Sequence, residues 1–170
     1  MRLRIGILFL VIHLVACKTY FGYELKPGVD HMEKVLDVLG QPAMRWQRGD
    51  GTEQLVFPRG PMGYRTYKVT IDKEGRMLGI ENVLNENNFT LIQPGMNKED
   101  VLHILGPSQP NWTVYFERRN ELVWEWRYCD TWNEAARFNV LFDYTDGTVR
   151  STLSLTESQR GICGKERCSC

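Results

Sequence analysis

The sequence predicts an α+β protein of two tandem repeats, each with one or two short helices packed on a three- to four-stranded antiparallel sheet. Three observations predict it. A set of landmarks recurs once along the chain. Each copy opens with apolar residues at helical spacing between a capping residue and a glycine. Each continues with period-two alternation broken by turn residues. The chain has 170 residues, 42% hydrophobic and 25% charged, a folded composition long enough for one ordinary domain or two small ones.

Pro27-Gly28-Val29-Asp30 and Pro94-Gly95-Met96-Asn97 start the two copies. Val35-Leu36-Asp37-Val38-Leu39-Gly40 is then matched by Val101-Leu102-His103-Ile104-Leu105-Gly106. Leu55-Val56-Phe57 pairs with Leu122-Val123-Trp124, and Tyr67 to Asp72 with Phe138 to Asp143; Gly75 pairs with Gly147. The order is kept, at offsets of 67, 66, 67 and 71 residues along the chain for the first four pairs, as expected for a duplicated unit.

The first helix is expected to begin at Asp30 as N-cap, with Glu33 at the capping-box position. Met32, Val35, Leu36 and Leu39 form its apolar stripe, and Gly40 and Pro42 end it. In the second copy Asn97 and Asp100 take the capping roles, and Gly106 and Pro107 the stop. After the first helix, Tyr67, Val69 and Ile71 face one way and Lys68, Thr70 and Asp72 the other. Leu78, Ile80 and Leu84 are expected to share a face. So are Val149, Ser151, Leu153 and Leu155, and likewise Phe138, Val140, Phe142 and Tyr144. Turns are expected at 49–51, 60–63, 73–75 and 146–147, where Gly, Pro and Asp cluster. One apolar face per strand means a sheet covered on one side.

Ahead of the repeats, Arg2 and Arg4 precede an apolar run from Ile5 to Ala16, which is too short for a membrane span of about 20 residues. Charge, short apolar core and small residues describe a secretory signal peptide. Leu14-Val15-Ala16-Cys17 resembles the bacterial lipobox, which implies lipidation of Cys17; two or more acyl chains anchor a protein stably. The other reading is an ordinary signal peptide whose cysteine later enters a disulfide. The expected organisation is a signal at 1–16, a lipidated N-terminus and linker at 17–26, repeats at 27–86 and 89–156, and a cysteine-rich tail at 157–170. With 21 basic and 21 acidic residues the full chain is neutral. Losing Arg2 and Arg4 leaves 19 basic groups against 21 acidic, a net charge of −2. Neither balance favours nucleic acid or anionic lipid, so a membrane link would rest on the acyl chains.

The second repeat carries a further pattern: Pro94-Gly95-Met96, Val101, Leu105-Gly106-Pro107, Trp124-Glu125-Trp126-Arg127-Tyr128 and Phe142-Asp143 with Gly147. Together with the lipobox it resembles the SmpA/OmlA (BamE-like) family of small outer-membrane lipoproteins. The resemblance covers nearly all of residues 94–149 and is weaker over 27–83, where Leu55-Val56-Phe57-Pro58 stands at the tryptophan strand. It implies a helix-plus-antiparallel-sheet domain anchored in the outer membrane and facing the periplasm. It also implies protein–protein binding, with envelope proteins and barrel-assembly components as partners, in β-barrel assembly and envelope integrity, without catalysis. The family's usual member has one such domain. The β-lactamase inhibitor proteins are similar in architecture alone, with two tandem helix–sheet units, and suggest the alternative of an anchored inhibitor or binding module for a periplasmic enzyme.

The sequence offers no catalytic set, no cofactor motif and no metal motif. His31 and His103 fall in the predicted helices outside any ligand spacing, and no phosphate loop or nucleophile elbow occurs. With Cys17 assigned to lipid, Cys129, Cys163, Cys168 and Cys170 remain as disulfide candidates. Four cysteines allow three pairings, which spacing does not decide. The tail lacks the C-x-x-C spacing of zinc ligands. Trp124 and Trp126 share a strand face with Leu122 and Tyr128, where core packing competes with partner binding for Trp126. Trp132 sits in a polar insertion and is the other partner-binding candidate.

Overall fold

The computed structural model describes residues 24–164 and 168–170. The signal segment and Cys17 lie outside the described residues. The architecture is α+β, with two four-stranded antiparallel sheets and few short helices.

The first unit runs α1 (Met32–Leu39), β1 (Met44–Gln47), β2 (Glu53–Pro58), β3 (Thr66–Ile71) and β4 (Met77–Asn82), its strands in simple sequential order. Val35 and Leu39 of α1 pack on Leu55, Phe57, Val69 and Ile71. Burying each such side chain contributes about 1.5–3 kcal/mol. Leu25, expected in the linker, joins this core. The start of α1 differs from expectation. Its N-cap is His31, without a side-chain cap bond. The Asp30 carboxylate instead accepts from the Lys26 N–H at 2.6 Å, and the capping box with Glu33 is not made. The stop is as expected: the Gly40 N–H donates to Leu36 O at 2.9 Å, at a φ of 81° that suits glycine.

The second unit runs α2 (Glu86–Phe89), α3 (Lys98–Leu105), β5 (Val114–Phe116), β6 (Glu121–Cys129), β7 (Ala135–Asp143) and β8 (Val149–Thr156). Asn97 and Asp100 form the capping box. Val101 and Leu105 pack with Trp126, Tyr128, Phe138, Val140 and Phe142. Val83 and Leu84 also pack here, although they fall within the range expected for the first repeat.

Each unit is closed the same way. The Gly28 N–H donates to Met77 O at 2.7 Å, and the Gly95 N–H to Val149 O at 2.8 Å. Each sheet shifts register at the start of its last strand, between Thr70 and Ile71 and between Leu141 and Phe142. A bulge breaks the period of two, so two expected faces are corrected. Met77 takes the core position and Leu78 is exposed. Val149 faces the core with Phe142, whereas Ser151, Leu153 and Leu155 stand on the opposite face beside Leu141, Asn139 and Arg137. Tyr144 lies past the end of β7 and is exposed.

Lys68, expected to face solvent, is buried. Its Nζ donates to His103 O at 2.7 Å and Ile104 O at 3.3 Å, at the C-terminal end of α3. Thus α3 covers its own sheet with one face and meets the far face of the first sheet at its end. The Trp46 and His103 rings lie 4.3 Å apart, tilted by 34°. A Cβ at Gly106 would lie 2.6 Å from Val56 Cγ1, so the two units meet at this glycine. Across the same seam Arg127 Nη1 donates to Met62 O at 3.1 Å, and the guanidinium lies 4.3 Å from the Tyr64 ring.

Candidate functional site

The second sheet has one face on its core and one face away from it. On β6, Leu122, Trp124, Trp126 and Tyr128 turn inward, as the alternation predicts. Glu121, Val123, Glu125, Arg127 and Cys129 turn to the other face, opposite Leu141, Asn139 and Arg137 of β7. This outer face carries Glu125, Arg127 and Arg137 towards one end, Val123 and Leu141 near the middle, and Glu121 and Asp143 at the other end.

The charged end is a network around Glu157. Arg127 grips its carboxylate with two bonds, Nε to Oε1 at 2.6 Å and Nη2 to Oε2 at 2.7 Å. Arg137 Nε adds a bond to Oε1 at 2.6 Å and sends Nη1 to Glu125 Oε1 at 2.9 Å. Arg160 Nη1 binds Glu125 Oε2 at 2.6 Å. The Trp112 ring lies 4.1 Å from the Arg137 guanidinium. Burial raises the Glu157 pKa, but the bonds from Arg127 and Arg137 outweigh it and hold the group below its ordinary value. The same carboxylate raises the pKa of Arg127. Charges this far from water persist only when paired, so the network fixes the chain at the end of β8.

The tail is fastened over this network. Cys129 pairs with Cys170, Cα atoms 5.9 Å apart, and Cys163 with Cys168, 5.6 Å apart. The Ala135 N–H donates to Cys168 O at 2.6 Å, which seats the end of the chain along β7. The four cysteines left to pair by the sequence are therefore all used. Glu157, Cys163 and Cys168 bring their ligand atoms within 4.8 Å of one another. The disulfide and the two arginines already occupy these donors.

Of the two tryptophan candidates, the structure separates one from the other. Trp126 is 2% exposed, and its Nε1–H donates to Gly106 O at 3.3 Å. It packs inside the second unit, so its ring is not on a partner-facing surface. Trp132 is 79% exposed in the β6–β7 connection, its N–H bound to Asp130 Oδ1 at 2.9 Å. Further exposed aromatics are Tyr115 and Phe116, together with Tyr144, expected on the apolar face of its strand, whose ring lies 4.3 Å from that of Tyr115. The segment Val114–Phe116 shows no alternation long enough to orient Tyr115 and Phe116 from sequence.

A narrow cleft with about 10 Å³ of room for water-sized molecules lies between the units, bordered by Gly60, Gly63, Gln109 and Trp112. That is far below the roughly 300–1,000 Å³ of small-molecule sites. Among the described residues no helix is long and apolar enough to cross a membrane. The second sheet exposes Val114, Phe116 and Leu153 on its outer face and ends in the eight-residue edge strand β8.

No family model, curated protein or solved structure matches the chain.

Proposed function

We propose that the chain is an outer-membrane-anchored lipoprotein, facing the periplasm, that acts by protein–protein binding in β-barrel assembly and envelope integrity. The observation that carries this reading is a joint one. The lipobox-like Leu14-Val15-Ala16-Cys17 stands in the same chain as the SmpA/OmlA-like pattern of residues 94–149. In this reading Cys17 carries the lipid, and the two helix–sheet units are tandem copies of one ancestor. Support for duplication comes from equivalent positions: Gly28 with Met77 and Gly95 with Val149 close the units by the same bond, and both last strands begin at a bulge. Two disulfides suit an oxidising compartment such as the periplasm.

Crosslinking of the tagged protein in intact cells tests the reading, alongside gene deletion. Capture of barrel proteins or assembly components is expected, with lowered barrel-protein levels and a leakier outer membrane on deletion. Capture of one soluble periplasmic enzyme, with both deletion readouts unchanged, would replace it with the inhibitor-like alternative. Globomycin-sensitive labelling with a fatty-acid analogue, lost in Cys17→Ser, is the expected result for the anchor.

A further inference from the structure

The last strand of the second sheet is an edge, and its hydrogen-bonding groups can be followed one by one. In an antiparallel strand, successive peptide groups point alternately to the neighbouring strand and away from it. The Glu157 N–H reaches Ala135 O on β7, so Leu155, Leu153 and Ser151 also point inward, and Thr156, Ser154 and Thr152 point outward. At one end of β8 the outward groups are used by the chain itself. The Val149 N–H donates to Met96 O at 2.7 Å, and its carbonyl accepts from the Gly95 N–H. At the other end the Thr156 N–H donates to Gln159 Oε1 at 2.9 Å, and its carbonyl accepts from the Arg160 N–H at 3.1 Å.

Between these two caps lie the outward N–H and C=O groups of Thr152 and Ser154, with no partner among the described residues. The segment from Arg150 to Ser154 is exposed throughout. It lacks proline and lysine, and the devices that blunt an edge, a bulge and the charged Arg150, lie at its start, ahead of the open groups. The first unit treats its own last strand differently. β4 is two residues shorter than β8, and the outward carbonyl of Asn82 is taken by Asn85 Nδ2 at 2.8 Å.

We propose that this edge is a docking site for an extended segment of a client polypeptide, added as a fifth strand beside β8. Two backbone donors and two acceptors in one row call for another strand. The side-chain rows beside the edge define the client further. On the edge strand itself Leu153 and Leu155 stand on the outer face, beside Asn139 and Arg137, whereas Thr152 and Ser154 carry hydroxyls on the other face, beside Val140 and Phe138. The segment that fits is amphipathic, apolar at every second residue and polar between, which is the pattern of an outer-membrane barrel strand before it inserts. A second copy of this chain is the weaker occupant. Two-fold pairing about Leu153 would use the same four groups, yet a strip roughly 20 Å long and about 10 Å wide on each partner amounts to about 400 Å² in all, short of the ~1,200 Å² buried by stable interfaces. The choice of client rests on the function proposed above; the edge geometry does not.

The test uses the full chain and a ten-residue fluorescent peptide alternating leucine with threonine. Expected are saturable binding at micromolar peptide, slowed amide exchange at Thr152 and Ser154, and at least tenfold weaker binding when alternate peptide amides are N-methylated. Thr152→Pro removes an outward N–H while sparing the bonds to β7, and the same tenfold loss is expected. The N-methylated peptide keeps the test decisive if that variant folds poorly. Equal binding of the methylated peptide, no binding at all, or concentration-dependent protection of both amides without peptide would overturn the proposal; the last result would mean self-pairing. If wild type captures barrel proteins in cells and Thr152→Pro captures them equally, the docking site fails and the function stands. If the peptide binds as expected but no barrel protein or assembly component is captured, the docking site stands and the function fails.

Discussion

Lys68 Nζ donates to the carbonyl oxygen of His103 at 2.7 Å, so a side chain of the first sheet closes the C-terminus of a helix in the second unit. The end of a helix leaves carbonyls unpaired and carries partial negative charge. A buried ammonium satisfies both needs. Burial lowers the Lys68 pKa, which measures what the pairing must offset. Replacing it by Lys68→Met keeps the apolar stem and removes the donor. The expected loss is about 1–2 kcal/mol in urea denaturation, and a stability equal to wild type would show that the contact contributes nothing.

Glu157 holds two arginines from two strands, so Glu157→Gln leaves both facing a neutral amide. A loss of about 3 kcal/mol is expected, the scale for breaking a buried pair from one side. The pH dependence has a definite sign. The folded pKa lies below the ordinary value of 4.5, so the carboxylate's contribution is complete above that value. It is lost as pH falls through the lower folded value. Acid titration of stability should therefore be shallower in Glu157→Gln than in wild type.

The Cys129–Cys170 disulfide joins residues 41 apart in sequence. Cross-linking a loop of that length constrains the unfolded chain, and its removal typically costs about 2–4 kcal/mol. Cys129→Ser with Cys170→Ser should lower the thermal midpoint more than Cys163→Ser with Cys168→Ser, whose loop is only five residues. Peptide mapping without reduction should recover both pairs.

Trp126→Ala should cost about 3–5 kcal/mol, since it empties a core position and removes the donor to Gly106 O. Trp132→Ala should change stability by less than about 0.5 kcal/mol, because the ring is exposed. If Trp132 contacts a partner, capture in the crosslinking experiment will fall in Trp132→Ala while its denaturation curve overlays that of wild type.

Gly106 combines a φ of 73° with the Val56 methyl 2.6 Å from any added Cβ. Gly106→Ala is expected to destabilise by about 1–3 kcal/mol through backbone strain and overpacking. Adding Val56→Ala should recover part of that loss in a double-mutant cycle, since only the overpacking share depends on residue 56.

The helices, the turns and the inward face of β6 were legible because their signals are local. Asn97 and Asp100 sit three residues apart, Gly106 follows the last apolar turn, and Leu122 to Tyr128 alternate without interruption. The faces of the last strands are not legible in the sequence, because one bulged residue reverses every side chain beyond it. The edge of β8 could not be read either. How much of the edge stays open is set by residues 95–96 and 159–160, which reach Val149 and Thr156 at the strand ends through space.

The sequence by itself determined the α+β class, the helix stops, the cysteines left to pair and the similarity between two stretches of chain. Each of these depends on neighbours within a few residues, or on comparing the chain with itself. Only the tertiary structure decided that Lys68 is buried, that Trp126 packs inside while Trp132 stands in solvent, and which cysteines join. Polarity and alternation state what a side chain prefers when one face meets water. A second layer of protein over that face changes the preference, and nothing local records where that layer will lie.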